Sequence, residues 1–165
     1  MIEANEAVFP NNVVNLVAVR FGLLDSDLFI TRRPLRHTDA EQAIGVFGST
    51  WSPNAESYEM KGASSPGPSE PTLQNYIITV QAYVKDMDEE RGHSAHSVLS
   101  KTIRTMLYRD EPLRVGLGAL SSSMFGSVER LQRWQVRNQR FNSNELQGDW
   151  LFLSTLELWL ETETV

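Results

Sequence analysis

The stretch GDWLFLSTLELWLETETV, residues 148–165, is the clearest β-strand of the sequence and decides the fold. Its apolar and polar residues alternate, as they do when successive side chains point to opposite faces of a sheet. One predicted face consists of Trp150, Phe152, Leu156, Leu158 and Leu160. The opposite face consists of Leu151, Leu153, Thr155, Glu157, Trp159 and Glu161. The first face is predicted to be buried in the core, and the second can contact either solvent or another chain.

A second long strand is predicted over LQNYIITVQAYVKDM, residues 73–87. Its even-numbered residues from Tyr76 to Val84 are mostly apolar, whereas the odd-numbered ones are mixed. This pattern is typical of a sheet that is covered by helices on one side only.

Two helices are predicted to provide that cover. After Pro10, apolar residues recur at helical spacing over residues 11–24, and Arg20 lies on the same stripe. The second helix is predicted to begin at Asp88 and to end before Pro112, because proline cannot continue a helix.

The remaining segments complete a single predicted domain over residues 1–165. Strands are expected near residues 28–30, 43–51 and 128–141, and a turn over NSNELQGD, residues 142–149. A Gly/Ser-rich connection is expected near 115–127, and it can include a short turn of helix or a short strand. This order predicts the α+β class: a mostly antiparallel sheet with two main helices packed on one face.

The stretch GASSPGPSEP, residues 62–71, is rich in proline, glycine and serine. Such a composition predicts a flexible loop with little to pack. The loop can be an ordinary connection between strands or an arm that becomes ordered on a partner.

The composition excludes several classes of function. The 165 residues include no cysteine, which excludes disulfides and cysteine-bound metals, and the net charge is −6. Nucleic acids and membrane surfaces are anionic, so neither is expected as the main partner. The first residues lack the order of a signal peptide, and no apolar run approaches the roughly 20 residues of a membrane span. We expect a soluble protein made inside a cell.

Candidate chemical groups are few. His93 and His96 lie three residues apart on the second predicted helix, a spacing that could hold a metal, but an exposed and solvated helix face is the favoured interpretation. His37, beside Asp39 and Glu41, is expected to be structural. The sequence contains neither a G-x-S-x-G elbow nor a phosphate-binding glycine loop. No catalytic residue, metal site or cofactor is therefore predicted.

Four arginines mark the predicted strand at residues 128–141. A period of two would place Arg130 and Arg140 on one face and Arg133 and Arg137 on the other. Pairing with the last strand would set them opposite glutamates of residues 157–163. The ribbon is then either a solvated surface of paired charges or an inter-subunit surface, where arginine is favoured. The candidate contact residues are Arg130, Arg133, Trp134, Arg137, Arg140, Glu157, Trp159 and Glu161, with Ser64, Pro66 and Pro68 in the loop.

The order of elements, together with three stretches, resembles a family of phage proteins. The stretches are YIITVQAYVKDMDEERGHSAHSVLSKTIRTMLYRDEPL at 76–113, RLQRWQVRNQRF at 130–141 and LSTLELWLETET at 153–164. They are similar in layout to the tail terminator, or tail completion, proteins of bacteriophages with long non-contractile tails, particularly phages of actinobacterial hosts.

The resemblance implies a structural virion protein without catalysis or cofactor. It would form a homo-oligomeric ring, commonly a hexamer, at the head-proximal end of the tail, where it would cap the tail tube and offer a joining surface to the neck. Its partners would be its own copies, the tail-tube protein and the head–tail connector. It would be made in the host cytoplasm and reside in the virion at the head–tail junction.

Three other interpretations stay open. The protein could be another neck or tail component, such as a head–tail connector or a tail-tube subunit. It could be a small enzyme that uses a histidine and carboxylate site, or a monomeric binding domain.

Overall fold

The computed structural model describes residues 8–24, 28–36, 39–53, 72–124 and 127–164. Three helices and six strands follow one another in this part of the chain. They are α1 (Val8–Gly22), β1 (Phe29–Thr31), β2 (Gln42–Pro53), β3 (Thr72–Asp86), α2 (Glu89–Arg109), α3 (Glu111–Ala119), β4 (Ser121–Met124), β5 (Ser127–Leu146) and β6 (Asp149–Thr164).

The six strands form one sheet in the order β1-β2-β3-β6-β5-β4. Only β1 and β2 run parallel, and every other neighbouring pair is antiparallel. The predicted α+β class with a mostly antiparallel sheet is confirmed. The two longest predicted strands are neighbours, and they occupy the middle of the sheet.

The hydrophobic core lies between the helices and one face of this sheet. Along β6 every second side chain from Phe152 to Thr162 is buried, as the alternation in the sequence predicts. Val17 of α1 and Ile103 of α2 are fully buried against that face. We call this side of the sheet the helix face and the opposite side the outer face.

The start of α2 is fixed closely to β6. A Cβ atom on Gly92 would lie 2.6 Å from Cε2 of Phe152, so the helix backbone passes directly over that ring and leaves no room for a side chain. The Asp88 side chain caps the helix by accepting a hydrogen bond from the Arg91 amide. Arg91 also donates two hydrogen bonds to Asp86, and these contacts lower the pKa of Asp86 to about 2.

A single aspartate links α2 to α3. Asp110 is both the C-cap of α2 and the N-cap of α3, and its carboxylate receives two hydrogen bonds from Arg20, at 2.8 and 2.9 Å. Arg20 thus sends its charged end past the apolar stripe of α1 to an acidic partner, and it lowers the pKa of Asp110.

The Gly/Ser-rich connection predicted over residues 115–127 contains part of a helix and a short strand, as the sequence allowed, but the helix α3 spans nine residues and is longer than the short turn expected. The predicted end before Pro112 is confirmed, but the chain immediately begins a new helix with proline in its first turn. Leu113 and Leu117 are buried in the core, and this burial outweighs the low helix propensity of Gly116 and Gly118.

The turn between β5 and β6 is shorter than the eight residues predicted. Only Gln147 and Gly148 form it, with φ of 53° and 86°, which is the pattern of a two-residue hairpin loop of type I′. The predicted turn residues 142–146 instead continue β5. The loop at residues 62–71 lies outside the described residues.

Candidate interaction surface

Two β-bulges interrupt the pairing of β5 with β6. The register shifts between Leu131 and Arg133 and again between Arg137 and Arg140, and each shift inserts one extra residue into β5. Asn138, in the second bulge, has a φ of 54°, a left-handed conformation that asparagine adopts more readily than most residues.

The bulges place all four arginines on the outer face. Arg130, Arg133, Arg137 and Arg140 are paired with Glu163, Glu161, Glu157 and Thr155. Directly opposite residues of an antiparallel pair share a face, and these four residues of β6 alternate with its buried ones. The prediction that the arginines divide between two faces is therefore wrong, because each bulge reverses the alternation. We call the four residues the arginine stripe.

Carboxylates of β6 lie directly beside this stripe. Nη2 of Arg133 is 3.2 Å from Oε2 of Glu161. The amides of the bulges add two more contacts, since Gln132 donates to Glu163 and Asn138 donates to Glu157, both at 2.7 Å. The predicted facing of opposite charges across the hairpin is confirmed by the Arg133–Glu161 pair and by the register.

Trp159 lies on the outer face of the hairpin, next to the arginine stripe. Its Nε1 donates a hydrogen bond of 2.8 Å to Glu157, and the guanidinium carbon of Arg137 is 4.8 Å from the centre of its ring, a cation–π distance. The hydrogen bonds from Asn138 and Trp159 lower the pKa of Glu157. The ring borders a groove of about 480 Å³ that extends to Arg133 and Glu161.

Trp134 borders the same groove as Trp159, but it belongs to a different face of the sheet. It is paired with the buried Leu160 and packs partly buried against the core, so its side chain belongs to the helix face. Both tryptophans were predicted from the sequence to be contact residues, and the prediction did not separate the face of Trp134 from that of Trp159. Ser64, Pro66 and Pro68 lie outside the described residues.

The outer edge of β5 is largely open within the described part of the chain. The short strand β4 pairs with β5 only at residues 127–130, whereas β5 continues to Leu146. From residue 131 onward, β6 is the only described strand that pairs with β5. An edge of this kind carries backbone donors and acceptors that can pair with another chain.

The other end of the sheet also has an open edge. In the described residues β1 pairs with β2 only from Ala43 to Gly45, although β2 extends to Pro53. One sheet thus presents two incomplete edges on opposite sides. A head-to-tail contact between identical chains joins two different surfaces, and these two edges are different.

The outer face is covered over β2 and β3 by the segment that follows β1. The amide of Leu35 donates a hydrogen bond of 2.9 Å to Oε1 of Gln81, and the Leu35 side chain packs over Gly45. Arg33 holds this segment in place by pairing with Asp39 at 2.7 Å. In the described residues this segment leaves the β5–β6 half of the outer face uncovered.

The structure corrects the prediction for His96. The side chain is only 2% exposed, and its Nε2 lies 3.3 Å from Oγ of Ser100. His93 is exposed as predicted, and its ring meets those of Phe141 and Phe152 edge-on. The sequence contains the relevant signal, because His96 lies three and seven residues before the buried Leu99 and Ile103. His37 lies outside the described residues.

Metal sites and membrane-spanning helices each require a particular arrangement of residues. The described residues contain no group of three or more histidine, aspartate or glutamate side chains arranged to hold a metal ion. No helix among them is long and apolar enough to cross a membrane.

Comparison with known proteins assigns the chain to no family. No protein-family model matches the sequence, and no curated protein matches it either. The interpretation of the surface therefore depends on its own geometry and on the resemblance in layout described above.

Proposed function

We propose that this protein is a ring-forming tail terminator of a long-tailed bacteriophage. The observation that carries the proposal is the open edge of β5, which runs beside the uncovered arginine stripe. A strand with one paired edge and one open edge is completed most simply by a second protein chain.

The ring closes through a head-to-tail contact between subunits. The edge of β5 in one subunit faces the edge of β2 in the next, so that the sheet continues from one subunit to its neighbour. A heterologous contact of this kind closes into a ring when its rotation allows, and the resemblance implies a hexamer.

The charges of the outer face determine specificity more than affinity. Exposed ion pairs such as Arg133–Glu161 contribute about 0–1 kcal/mol within a subunit. The stripe and its neighbouring carboxylates form two parallel rows of opposite charge near the open edge. The strand β2 carries no charged residue, so it meets the stripe without repulsion, whereas a second arginine-rich β5 edge is repelled.

The ring acts by geometry and needs no reaction. One side of the ring binds the last layer of the tail tube, and the opposite side does not repeat the tube surface, so growth stops there. That second side binds the head–tail connector. Weak contacts around the ring combine into a stable cap, because each further contact forms within an already bound assembly.

Electron microscopy of the purified protein, with and without isolated tail tubes, tests this function. The expected result is closed rings in the protein alone and one cap at a single end of each tube. Long tubes assembled by the protein alone would instead identify a tail-tube subunit. A monomer that leaves tubes unchanged would contradict both functions.

A pair of matched variants tests the proposed contact. The double substitution Arg137→Gln and Arg140→Gln should reduce the fraction of closed rings and admit other oligomers, because it removes two of the charges that repel a second β5 edge. The control Arg109→Gln and Arg114→Gln removes the same charge from exposed helical positions and should leave rings intact. Equal ring formation by the two variants would exclude the arginine stripe from the contact.

A further inference from the structure

A cavity of about 470 Å³ lies between α2 and the distal half of the β5–β6 hairpin. Its volume is within the range of small-molecule sites in proteins. Its walls are formed by His93, His96, Ser97, Ser100, Lys101, Arg104, Gln139, Phe141 and Ser154.

The charged side chains that the described residues bring to this cavity are basic. Lys101 and Arg104 lie one turn apart on α2, and no carboxylate of the described residues lines the cavity. Arg104 donates a hydrogen bond to Oε1 of Gln139. In the described part of the chain neither Lys101 nor Arg104 forms an ion pair. Two cations that converge on a cavity without a counter-charge favour an anionic ligand.

The floor of the cavity carries hydroxyl groups. Oγ of Ser100 lies 2.9 Å from Oγ of Ser154 and 3.3 Å from Nε2 of His96. Burial, and next to it the charge of His93, lowers the pKa of His96, while a hydrogen bond with the Ala82 backbone opposes the shift. A neutral His96 that donates one ring N–H to the Ala82 backbone accepts the Ser100 hydroxyl hydrogen at Nε2. The Ser154 hydroxyl is then the one that can turn its hydrogen toward a ligand.

An aromatic wall lies beside these polar groups. Phe141 is 53% exposed, although its ring is 5.1 Å from that of His96 and 6.1 Å from that of His93. An exposed ring at the edge of a cavity offers a flat apolar surface for stacking.

We propose that this cavity binds a small molecule that carries an oxyanion, either phosphate or carboxylate, next to a flat apolar group. Lys101 and Arg104 hold the oxyanion, the Ser154 hydroxyl donates to it, and Phe141 stacks against the flat group. The site lies on the helix face of the sheet, and the inference does not depend on the proposed ring.

Titration calorimetry with phenyl phosphate, benzoate and benzyl alcohol tests the site. The first two probes distinguish phosphate from carboxylate, and the third has the ring without the charge. We expect saturable binding of at least one anion, with a dissociation constant of about 1 mM or lower, and no binding of the alcohol. Absence of saturable anion binding, or equal binding of the alcohol, would overturn the proposal.

Two matched variants identify the residues that bind. Lys101→Met with Arg104→Met should weaken binding of the anion about tenfold or more, since it removes both charge-assisted contacts. Lys85→Met with Arg114→Met removes the same charge from positions that do not line the cavity and should leave binding unchanged. If anion binding were weakened equally in the two double variants, the proposed site would be contradicted. If the first variant does not fold, Lys101→Met alone replaces it, with Lys85→Met as its control.

The imidazole signals of His96 give an independent readout by NMR. A bound oxyanion stabilises the protonated ring, so saturation with the probe should raise the pKa of His96. The nearby cationic groups of His93, Lys101 and Arg104 lower the pKa of His96 whether or not the probe is bound. The change in the pKa of His96 between the free and the saturated protein therefore reports the ligand. An unchanged pKa of His96 under saturation would place the bound probe elsewhere and overturn the proposal.

Discussion

The strands β5 and β6 form one hairpin, but they differ in nearly every physical respect. β6 alternates regularly between buried and half-buried side chains and has a paired strand on each side. β5 contains two bulges, is mostly exposed beyond Val136, and for most of its length pairs with one described strand only. Strand β6 therefore holds the core of the subunit together, whereas β5 forms an exposed edge that is available for contacts with other molecules.

The largest expected effect compares two residues that face each other across the hairpin. Leu158 of β6 is fully buried and is paired with Val136 of β5, which is half-buried. Leu158→Ala should lower the free energy of unfolding by about 2–5 kcal/mol, because it leaves a cavity in the core. Val136→Ala should cost only about 1 kcal/mol. Urea denaturation measures both.

Similar losses in these two variants would contradict the division of roles. If Val136→Ala were as costly as Leu158→Ala, β5 would contribute to the core as much as β6 does. The measurement requires conditions under which the protein is monomeric, because assembly would add its own stabilisation.

Two buried tyrosines of β3 sharpen the contrast between the faces of the sheet. On the helix face the hydroxyl of Tyr76 lies 2.6 Å from Oε1 of Glu129, in β5. On the outer face the hydroxyl of Tyr83 is buried without a hydrogen-bond partner in the described residues, and burial raises its pKa. Tyr76→Phe should cost about 1.5–3 kcal/mol, since its acceptor is a carboxylate, whereas Tyr83→Phe should be neutral or stabilise by up to about 1 kcal/mol.

Thermal and urea unfolding of both tyrosine variants check this prediction. A marked loss of stability in Tyr83→Phe would show that its hydroxyl has a partner. No loss in Tyr76→Phe would remove the Tyr76–Glu129 contact from the account.

The smallest expected effect concerns the turn that joins the two strands. Gln147 has a φ of 53°, where asparagine is less strained than glutamine. Gln147→Asn should raise the free energy of unfolding by about 0.5 kcal/mol, as Asn-Gly is the preferred pair of a type I′ turn. Gln135→Asn, at an exposed strand position, is the control and should not stabilise the protein. Equal changes in the two variants would rule out the turn as the cause.

The periodic parts of the fold are predictable from the sequence. The faces of β6, the even-numbered core residues of β3 and the two main helices all follow from repeated apolar spacing, since each repeat reports the same buried side. The third helix and the extent of the turn are not predictable in this way. Helix α3 depends on the capping by Asp110 and on burial of Leu113 and Leu117, which are tertiary effects.

The candidate surface is predictable in composition but not in geometry. The sequence indicates that arginines of β5 and glutamates of β6 face each other, yet it cannot locate the bulges that gather all four arginines on one face. The one local sign of the bulges is that side-chain amides stand at the inserted positions: Gln132 in the first bulge, and Asn138 and Gln139 in the second. The open edge of β5 depends on how short β4 is, and this is visible only in the assembled sheet.

The central claim is that the open edge of β5 is completed by another copy of the chain. Amide hydrogen exchange, measured by NMR or mass spectrometry in the monomer and in the assembled protein, tests it most directly. Assembly should strongly slow exchange at the outward-pointing amides of residues 46–52 of β2 and of a stretch of similar length within residues 131–146 of β5, while the amides of β6, already paired on both sides, should change little. If β5 exchanges equally fast in both states, the subunits meet elsewhere and the account is contradicted.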